Sequence, residues 1–112
     1  MDTKLEQYRA IIKQIILQHA AFAPSVGEID VRPIFYEEKQ TYLLVDSGWD
    51  QTGRVYAVLL DIRIYEEKIW IEIDGTERAI AYELIDAGVP QTDIVLGYLN
   101  PKRRETIQFE PV

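Results

Sequence analysis

Apolar residues near the N-terminus recur every three or four positions, the spacing that places side chains on one face of an α-helix. They span about 140° of the helix circumference and comprise Leu5, Tyr8, Ile11, Ile12, Ile15 and Ile16. Asp2 or Thr3 can cap the first N–H groups, and Pro24 and Gly27 mark the end of the segment. The pattern predicts an amphipathic helix that packs on another layer, because a helix of this length needs such packing to be stable.

From residue 28 to residue 74 the period changes to two, and apolar and polar residues alternate in four runs separated by polar turns. The runs are Ile29–Phe35, Thr41–Trp49, Arg54–Tyr65 and Ile69–Asp74. Clean alternation indicates antiparallel strands with one buried face and one wet face. Pro33 cannot donate to a ladder, so the first run is predicted to be an edge strand or to contain a bulge.

Alternation also assigns side chains to faces within the last two strands. In the third strand it places Val58, Leu60, Ile62 and Ile64 on one face and Asp61, Arg63 and Tyr65 on the other. In the fourth strand it places Ile69, Ile71 and Ile73 on one face and Trp70, Glu72 and Asp74 on the other.

A second helix is predicted after the fourth strand, with an apolar face made of Ile80, Ala81, Leu84 and Ile85. Asp74 or Thr76 can cap its start, and Glu77 follows Asp74 at capping-box spacing. Gly88 stands where a C-terminal glycine belongs, and Pro90 prevents continuation. Beyond it we expect a short buried strand or extended segment at 94–96, then a polar tail from 100 onward in which Phe109 docks.

These elements predict an α+β fold: an N-terminal helix, a four-stranded antiparallel meander, a second helix and a short C-terminal extended segment. A chain of 112 residues fits one domain, which we expect to span residues 1–112.

The net charge of -7 disfavours an autonomous nucleic-acid binder, which normally presents a basic face to the phosphates. The charge is unevenly placed: residues 25–100 carry -9, whereas residues 1–24 and 101–112 carry +1 each. We therefore expect the body of the domain to avoid DNA.

The chain has no cysteine, which excludes disulfides, thiolate zinc sites and a cysteine nucleophile. The first six residues carry charges where a signal peptide would need an apolar core, and no apolar run approaches the roughly 20 residues that span a bilayer. The expectation is a cytoplasmic protein that does not enter membranes.

Few residues invite a catalytic or metal-binding interpretation. Asp74 and Glu77 are the tightest carboxylate pair, but capping of the second helix explains them better than catalysis does. Asp46 and Asp50 flank a strand end that runs into a turn. His19, the one histidine, is expected to be partly buried and hydrogen-bonded locally, or to be a favourable cation near a helix C-terminus. We predict no cofactor, no metal and no enzymatic activity.

The two tryptophans and a small set of basic residues are the remaining candidates. Trp70 is expected beside Glu72 and Asp74 on a half-wet face, where an indole either covers the sheet or anchors a partner protein. The run Lys102–Arg104 can contact phosphate or form a solvated end.

An ordered set of motifs resembles the XisI family, named for the factor that controls excision of the fdxN element in cyanobacteria. The motifs are Lys4–Arg9, Gly48–Trp49 with Arg54, Lys68–Ile71, Asp74–Glu77, Glu83–Leu84, Gly88–Pro90 and Asp93–Tyr98. They extend over essentially the whole chain. At Leu99 many relatives have a histidine, so no role that depends on that histidine is carried over.

The resemblance implies a role in controlling site-specific recombination, alongside a recombinase and a companion protein called XisH, and it brings no catalytic motif. It predicts a non-enzymatic accessory protein that acts on DNA excision through an XisH-like partner and a recombinase. The alternative is direct nucleic-acid contact through Arg54 and the Lys102–Arg104 tail; a weaker one is a hydrolase that uses Asp74 or Glu77. The candidate partner contacts are Trp49, Arg54, Trp70, Glu72, Asp74, Glu77, Arg103 and Arg104. Self-association as a symmetric homodimer is a further option that the sequence leaves open.

Overall fold

A twisted sheet of five strands, with two helices packed on one face, forms the body of the molecule in the computed structural model. The structure describes residues 3–22 and 28–106, without the side chains of 104–106. In chain order the elements are α1 (Lys4–Ala21), β1 (Glu28–Tyr36), β2 (Thr41–Asp50), β3 (Gly53–Tyr65), β4 (Lys68–Asp74), α2 (Ile80–Asp86), β5 (Ile94–Leu96) and α3 (Pro101–Thr106).

The strand order is β1-β2-β3-β4-β5, and the first four strands form the antiparallel meander that the alternation predicts. The α+β class is therefore confirmed, and β1, the strand with Pro33, is an edge strand. The strand count is corrected from four to five, because Ile94–Leu96 pairs in parallel with Ile69–Ile71 after the chain crosses through α2. The predicted polar tail also contains a short helix, α3. The Asn100 side chain accepts a hydrogen bond from the N–H of Arg103 at the start of this helix. Phe109 lies outside the described residues.

The first helix begins at a reciprocal capping box. The Thr3 hydroxyl accepts from the N–H of Glu6 at 3.1 Å, and the Glu6 carboxylate accepts from the N–H of Thr3 at 3.2 Å. Of the two predicted caps, Asp2 and Thr3, the structure shows Thr3 in this role. Pro24 and Gly27, which are predicted to mark the end of the helix, lie outside the described residues. The helix buries Tyr8, Ile12, Ile15 and Ile16 against the sheet.

Two β-bulges change which face several side chains occupy. Leu44 pairs with Leu60 but Val45 pairs with Val58, so Leu59 is an extra residue in β3. Directly paired residues share a face, so Val58 lies with Val45 on the face opposite Leu44 and Leu60. The prediction that Val58 shares the face of Leu60 is wrong for this reason.

The second bulge lies between β3 and β4. Asp61 pairs with Ile73 and Ile62 pairs with Ile71, which leaves Glu72 as the extra residue. Ile73 therefore lies on the face away from the helices, 40% exposed. Asp74 pairs with the buried Leu60 on the helix side. The predicted faces of Ile73 and Asp74 are both wrong, because strict alternation does not survive an inserted residue.

The start of α2 is held by a residue that precedes it in the chain, and its end is the one that the sequence predicts. Its N-cap residue, Ala79, offers no side-chain bond; instead the carboxylate of Asp74 accepts from the N–H of Ile80 at 2.7 Å. Gly88 has a φ of +104°, and the N–H of Gly88 and of Val89 donate to the last turn in the Schellman pattern. Asp74 thus bonds to the start of α2, but the prediction that Asp74 or Thr76 is its N-cap, with Glu77 completing a capping box, is wrong because the N-cap is Ala79.

A small polar cluster ties the start of α1 to the turn before β5. The Tyr8 hydroxyl donates to the carboxylate of Asp93, and the Lys4 Nζ lies 2.8 Å from that carboxylate. Burial, and then the bond to Asp93, raise the pKa of Tyr8 to about 12. The hydrogen bonds from Lys4 and Tyr8 lower the pKa of Asp93 below its usual value. The ionised form of Asp93 is therefore favoured in the folded chain.

Asp93→Asn is expected to flatten the acid side of the stability profile. Because the pKa of Asp93 is depressed on folding, its contribution is fully present above about pH 4 and is lost as the pH falls through the lower folded value. At neutral pH the substitution should lower the free energy of unfolding by about 1.5–2 kcal/mol, the lower part of the range for hydrogen bonds to a charged group. Urea unfolding at several pH values measures both effects, with Asp30→Asn on exposed β1 as the control. If the free energy of unfolding of Asp93→Asn fell with decreasing pH as steeply as that of the wild type, the role given to the Asp93 carboxylate would be contradicted.

Candidate functional site

A cleft of about 680 Å³ opens on the helix side of the sheet, where β1, β2 and β3 extend past the end of α1. Its apolar lining consists of Phe22, Ile29, Val31, Val55 and Leu59. Its polar lining consists of Gln18, His19, Asp46, Asp50, Thr76, Glu77 and Glu83. The cleft is thus an apolar floor with a predominantly acidic rim.

The bulge at Leu59 helps to build this cleft. Its carbonyl accepts a hydrogen bond of 2.8 Å from the N–H of Gly75, which holds the connection after β4 close to β3. A Cβ at Gly75 would lie 2.8 Å from the Leu59 side chain, so this close approach favours glycine. The connection then carries Thr76 and Glu77 to the rim.

His19 bridges the two helices at the back of the cleft. Its Nε2 lies 2.7 Å from the Oε2 of Glu83, and both side chains are about three-quarters buried. The sequence correctly predicts a partly buried, hydrogen-bonded histidine, but the partner is on α2 and not local. In the part of the chain that the structure describes, no three His, Cys, Asp or Glu side chains are grouped so that they could hold a metal ion.

The two aspartates singled out at the end of β2 both line the cleft. Asp50 accepts from the N–H and the hydroxyl of Thr52, and these bonds lower the pKa of its carboxyl. Asp46 lies four residues earlier on the same face of β2, in register with Val31. Glu77 faces them from the β4–α2 connection, and Glu83 adds a fourth carboxylate that the sequence patterns do not single out.

Asp74 and Glu77, the tightest carboxylate pair in the sequence, are not brought together as a catalytic pair. The Asp74 carboxylate accepts from the N–H groups of Thr76, at 3.0 Å, and of Ile80, as well as from the Thr76 hydroxyl. Its acceptor capacity is used by the backbone of its own connection. Glu77 is exposed at the cleft rim.

Four other candidates, Trp49, Arg54, Trp70 and Glu72, lie on the opposite side of the sheet. We call this side the open face because α1 and α2 pack on the other one. At one end the guanidinium of Arg54 lies 5.8 Å from the Trp49 ring and 5.7 Å from the Tyr56 ring, and Arg54 donates to the carbonyl of Gly48 at 3.1 Å. These distances fit cation–π contacts.

A second such group lies further along β3. Arg63 stacks 4.9 Å from the Tyr65 ring and 5.4 Å from the Trp70 ring, and its Nε donates to Glu72 at 3.0 Å. Trp70 therefore lies beside Glu72, as predicted, but not beside Asp74. Arg103 is exposed on α3, and the side chain of Arg104 lies outside the described part. The predicted contacts thus divide among the open face, the β4–α2 connection and α3.

The same α+β fold is found in solved proteins. The chain matches the family model of the XisI protein over residues 1–110. The protein belongs to the XisI family.

Two crystal structures from Anabaena variabilis ATCC 29413 agree with this assignment. An XisI-like protein is 31% identical, with a TM-score of 0.86, over 92% of this chain and 94% of that one. The fdxN element excision controlling factor XisI is 39% identical, with a TM-score of 0.81, over 94% of this chain and 96% of that one. Among curated proteins nothing matches the chain. Within the described residues, every helix is too short or too polar to cross a membrane.

Proposed function

We propose that this protein is a non-enzymatic accessory factor that controls site-specific DNA excision by binding other proteins, an XisH-like partner first and a recombinase through it. Support comes from the near full-length similarity, at 39% identity, to a protein described as the fdxN element excision controlling factor. The partner-binding surface in this proposal is the acidic cleft.

The distribution of charge between the two sides of the sheet carries the proposal. The open face balances its charges: its four basic strand residues are Arg32, Arg54, Arg63 and Lys68, and its four acidic ones are Glu28, Asp30, Asp61 and Glu72. The cleft has four carboxylates on its rim and one histidine among its described lining residues. Part of the excess negative charge of residues 25–100 therefore lies around the cleft.

A basic segment of a partner protein fits such a cleft. Lysine and arginine can lay their aliphatic stems on the floor formed by Val31, Val55 and Leu59 while their charged ends reach the rim carboxylates. Opposite charges across an interface also steer the encounter and raise its rate at low salt. Nucleic acid would meet the same rim with like charge.

The hydrogen bonding around the cleft favours binding over hydrolysis. The Thr76 hydroxyl lies within hydrogen-bond distance of the Asp74 carboxylate and, at 2.7 Å, of the Arg78 carbonyl. Its single proton is directed to one of these acceptors and not toward the cleft. His19 is engaged with Glu83 in joining the helices. These groups stabilise the fold around a surface that can receive a ligand.

Removal of two rim charges is the direct test. The double variant Asp46→Asn with Glu77→Gln preserves size and should weaken binding of an XisH-like protein about five- to tenfold, since each rim ion pair contributes up to about 1 kcal/mol. The control, Glu28→Gln with Asp30→Asn, removes the same charge from the open face and should leave the affinity unchanged. Titration calorimetry with the purified pair gives both values. No binding of an XisH-like protein at micromolar concentration would overturn the pairing.

The nucleic-acid alternative is decided by a salt titration of duplex DNA binding. We expect no measurable affinity at about 50 mM salt, where phosphate contacts are strong. Arg54 is already held between Trp49 and Tyr56, and Glu28 is paired in register with Trp49. Binding that weakens in Arg54→Ala, or when Lys102 and Arg103 are both changed to alanine, would favour direct DNA contact instead.

A further inference from the structure

The open face carries most of the large apolar side chains that the described residues expose. Trp49, Tyr56 and Tyr65 are each about half exposed or more, and Tyr36, Ile34 and Ile73 are each more than a third exposed. Exposed apolar side chains that are grouped on one face, and not scattered singly, mark sites of interaction. The patch marks a surface that another molecule covers.

The patch extends over four strands and has charged residues among its apolar ones. Arg32, Val45 and Val58 form one rung of the register, and Ile34, Leu43, Asp61 and Ile73 form the next. Val45 at its centre is only 3% exposed, so its neighbours already close over it. Aromatic groups lie at both ends, around Arg54 and around Arg63. Aromatic residues and arginine are enriched in protein–protein interfaces, so the composition of the two ends fits such a contact.

We propose that the open face is the contact surface of a symmetric homodimer, in which a second copy of this chain covers the aromatic and apolar residues. The face is suited to a copy of itself because its four basic and four acidic strand residues balance. An isologous contact needs a self-complementary surface, and two faces of large net charge would repel each other. The acidic clefts then point away from the interface.

The size of the face agrees with a stable dimer. Strands spaced about 4.8 Å apart, with about 3.3 Å per residue, give the five strands a footprint on the order of 650 Å². Projecting side chains raise the accessible area above this planar figure. Standard interfaces bury about 800 Å² per partner. The face is therefore large enough without help from other elements.

Edge strand β1 offers a poorer route to association. Pro33 lies in the middle of edge strand β1 and has no N–H to donate to a further strand. Face-to-face association is thus preferred over strand addition at the edge.

Sedimentation velocity of the full chain, from about 1 to 100 µM, tests the dimer. We expect a species of twice 13.0 kDa in the wild type. Tyr56→Asp and Tyr65→Asp should each raise the dimer dissociation constant at least about thirtyfold, because each places a charge in the apolar contact. Leu17→Asp, an equally exposed apolar-to-acid change on α1, should leave it unchanged. Far-UV circular dichroism verifies that each variant is folded.

Tryptophan fluorescence gives an independent readout, since both tryptophans of the chain lie on this face. Their emission should shift to shorter wavelength with increasing concentration in the wild type but not in Tyr56→Asp. A wild-type monomer at 100 µM, or equal weakening by Leu17→Asp, would overturn the proposal. So would a monomer that dimerises only after removal of residues 107–112, which would assign the face to the chain's own C-terminal segment. Partner binding at the cleft is measured separately, so the two proposals can fail independently.

Discussion

Gly48→Ala is expected to lower the free energy of unfolding by more than about 3 kcal/mol, at the upper end of overpacking effects. A Cβ at this position would lie 1.9 Å from the carbonyl oxygen of Glu28 and 2.9 Å from the Cα of Ile29. Both atoms belong to the backbone of β1, so no side chain can rotate to make room. Because Ile29 is paired with Gly48, the clash falls within the ladder that joins β1 to β2.

Gly53→Ala is the matched control, at the turn into β3. Gly53 has a φ of +126°, but a Cβ there would meet nothing within 4 Å. Backbone strain alone should lower the free energy of unfolding by about 1–2 kcal/mol. Urea unfolding followed by circular dichroism measures both variants. Equal losses in the two variants would show that the close approach of β1 to Gly48 is not what requires a glycine.

Asp74→Ala is expected to lower the free energy of unfolding by about 2–3 kcal/mol, through loss of a charged acceptor that serves several donors. The N–H groups of Thr76 and Ile80 would lose their partner, and α2 would start without a cap. The effect should appear in urea unfolding, together with faster hydrogen exchange of the Ile80 amide. Asp74→Asn should lie between wild type and Asp74→Ala, since it keeps one acceptor oxygen.

Asp86→Ala provides the control for Asp74. Its carboxylate pairs with Arg78 at 3.0 Å on the same helix region, but both side chains are about half exposed. Exposed pairs of this kind contribute up to about 1 kcal/mol, so the change should be small. If Asp74→Ala were no more damaging than Asp86→Ala, the anchoring role of Asp74 would be refuted and its carboxylate would need another explanation.

Periodicity alone predicts α1, α2 and the meander, because the spacing of apolar residues within each segment is enough to identify it. The 3.6-residue stripe of α1 and the alternation in β2 give nearly the observed limits. Gly88 marks the end of α2 because only a local backbone conformation is needed there. The parallel pairing of β5 could not be read in this way, since three apolar residues have the same pattern as an extended segment.

The faces of Val58, Ile73 and Asp74 could not be predicted because a bulge is a property of two strands. Whether Leu59 or Glu72 is an extra residue depends on the register of the neighbouring strand, which single-strand alternation does not contain. The cleft could not be predicted from the sequence for a similar reason. Asp46 and Asp50 are noticeable in the sequence, but their approach to Glu77 and Glu83 depends on how the sheet and α2 pack.

The extra residue at Glu72 couples two surfaces that would otherwise vary independently in evolution. If the bulge were lost with every residue retained, strict alternation from Ile71 would turn Ile73 toward the helices and Asp74 toward the open face. That change would remove the anchor of α2 and put a carboxylate on the proposed dimer contact. Deletion of Glu72 would instead leave a regular ladder in which Ile73 still pairs with Asp61 and Asp74 with Leu60. We therefore expect relatives to lack this residue more often than to keep it without the bulge.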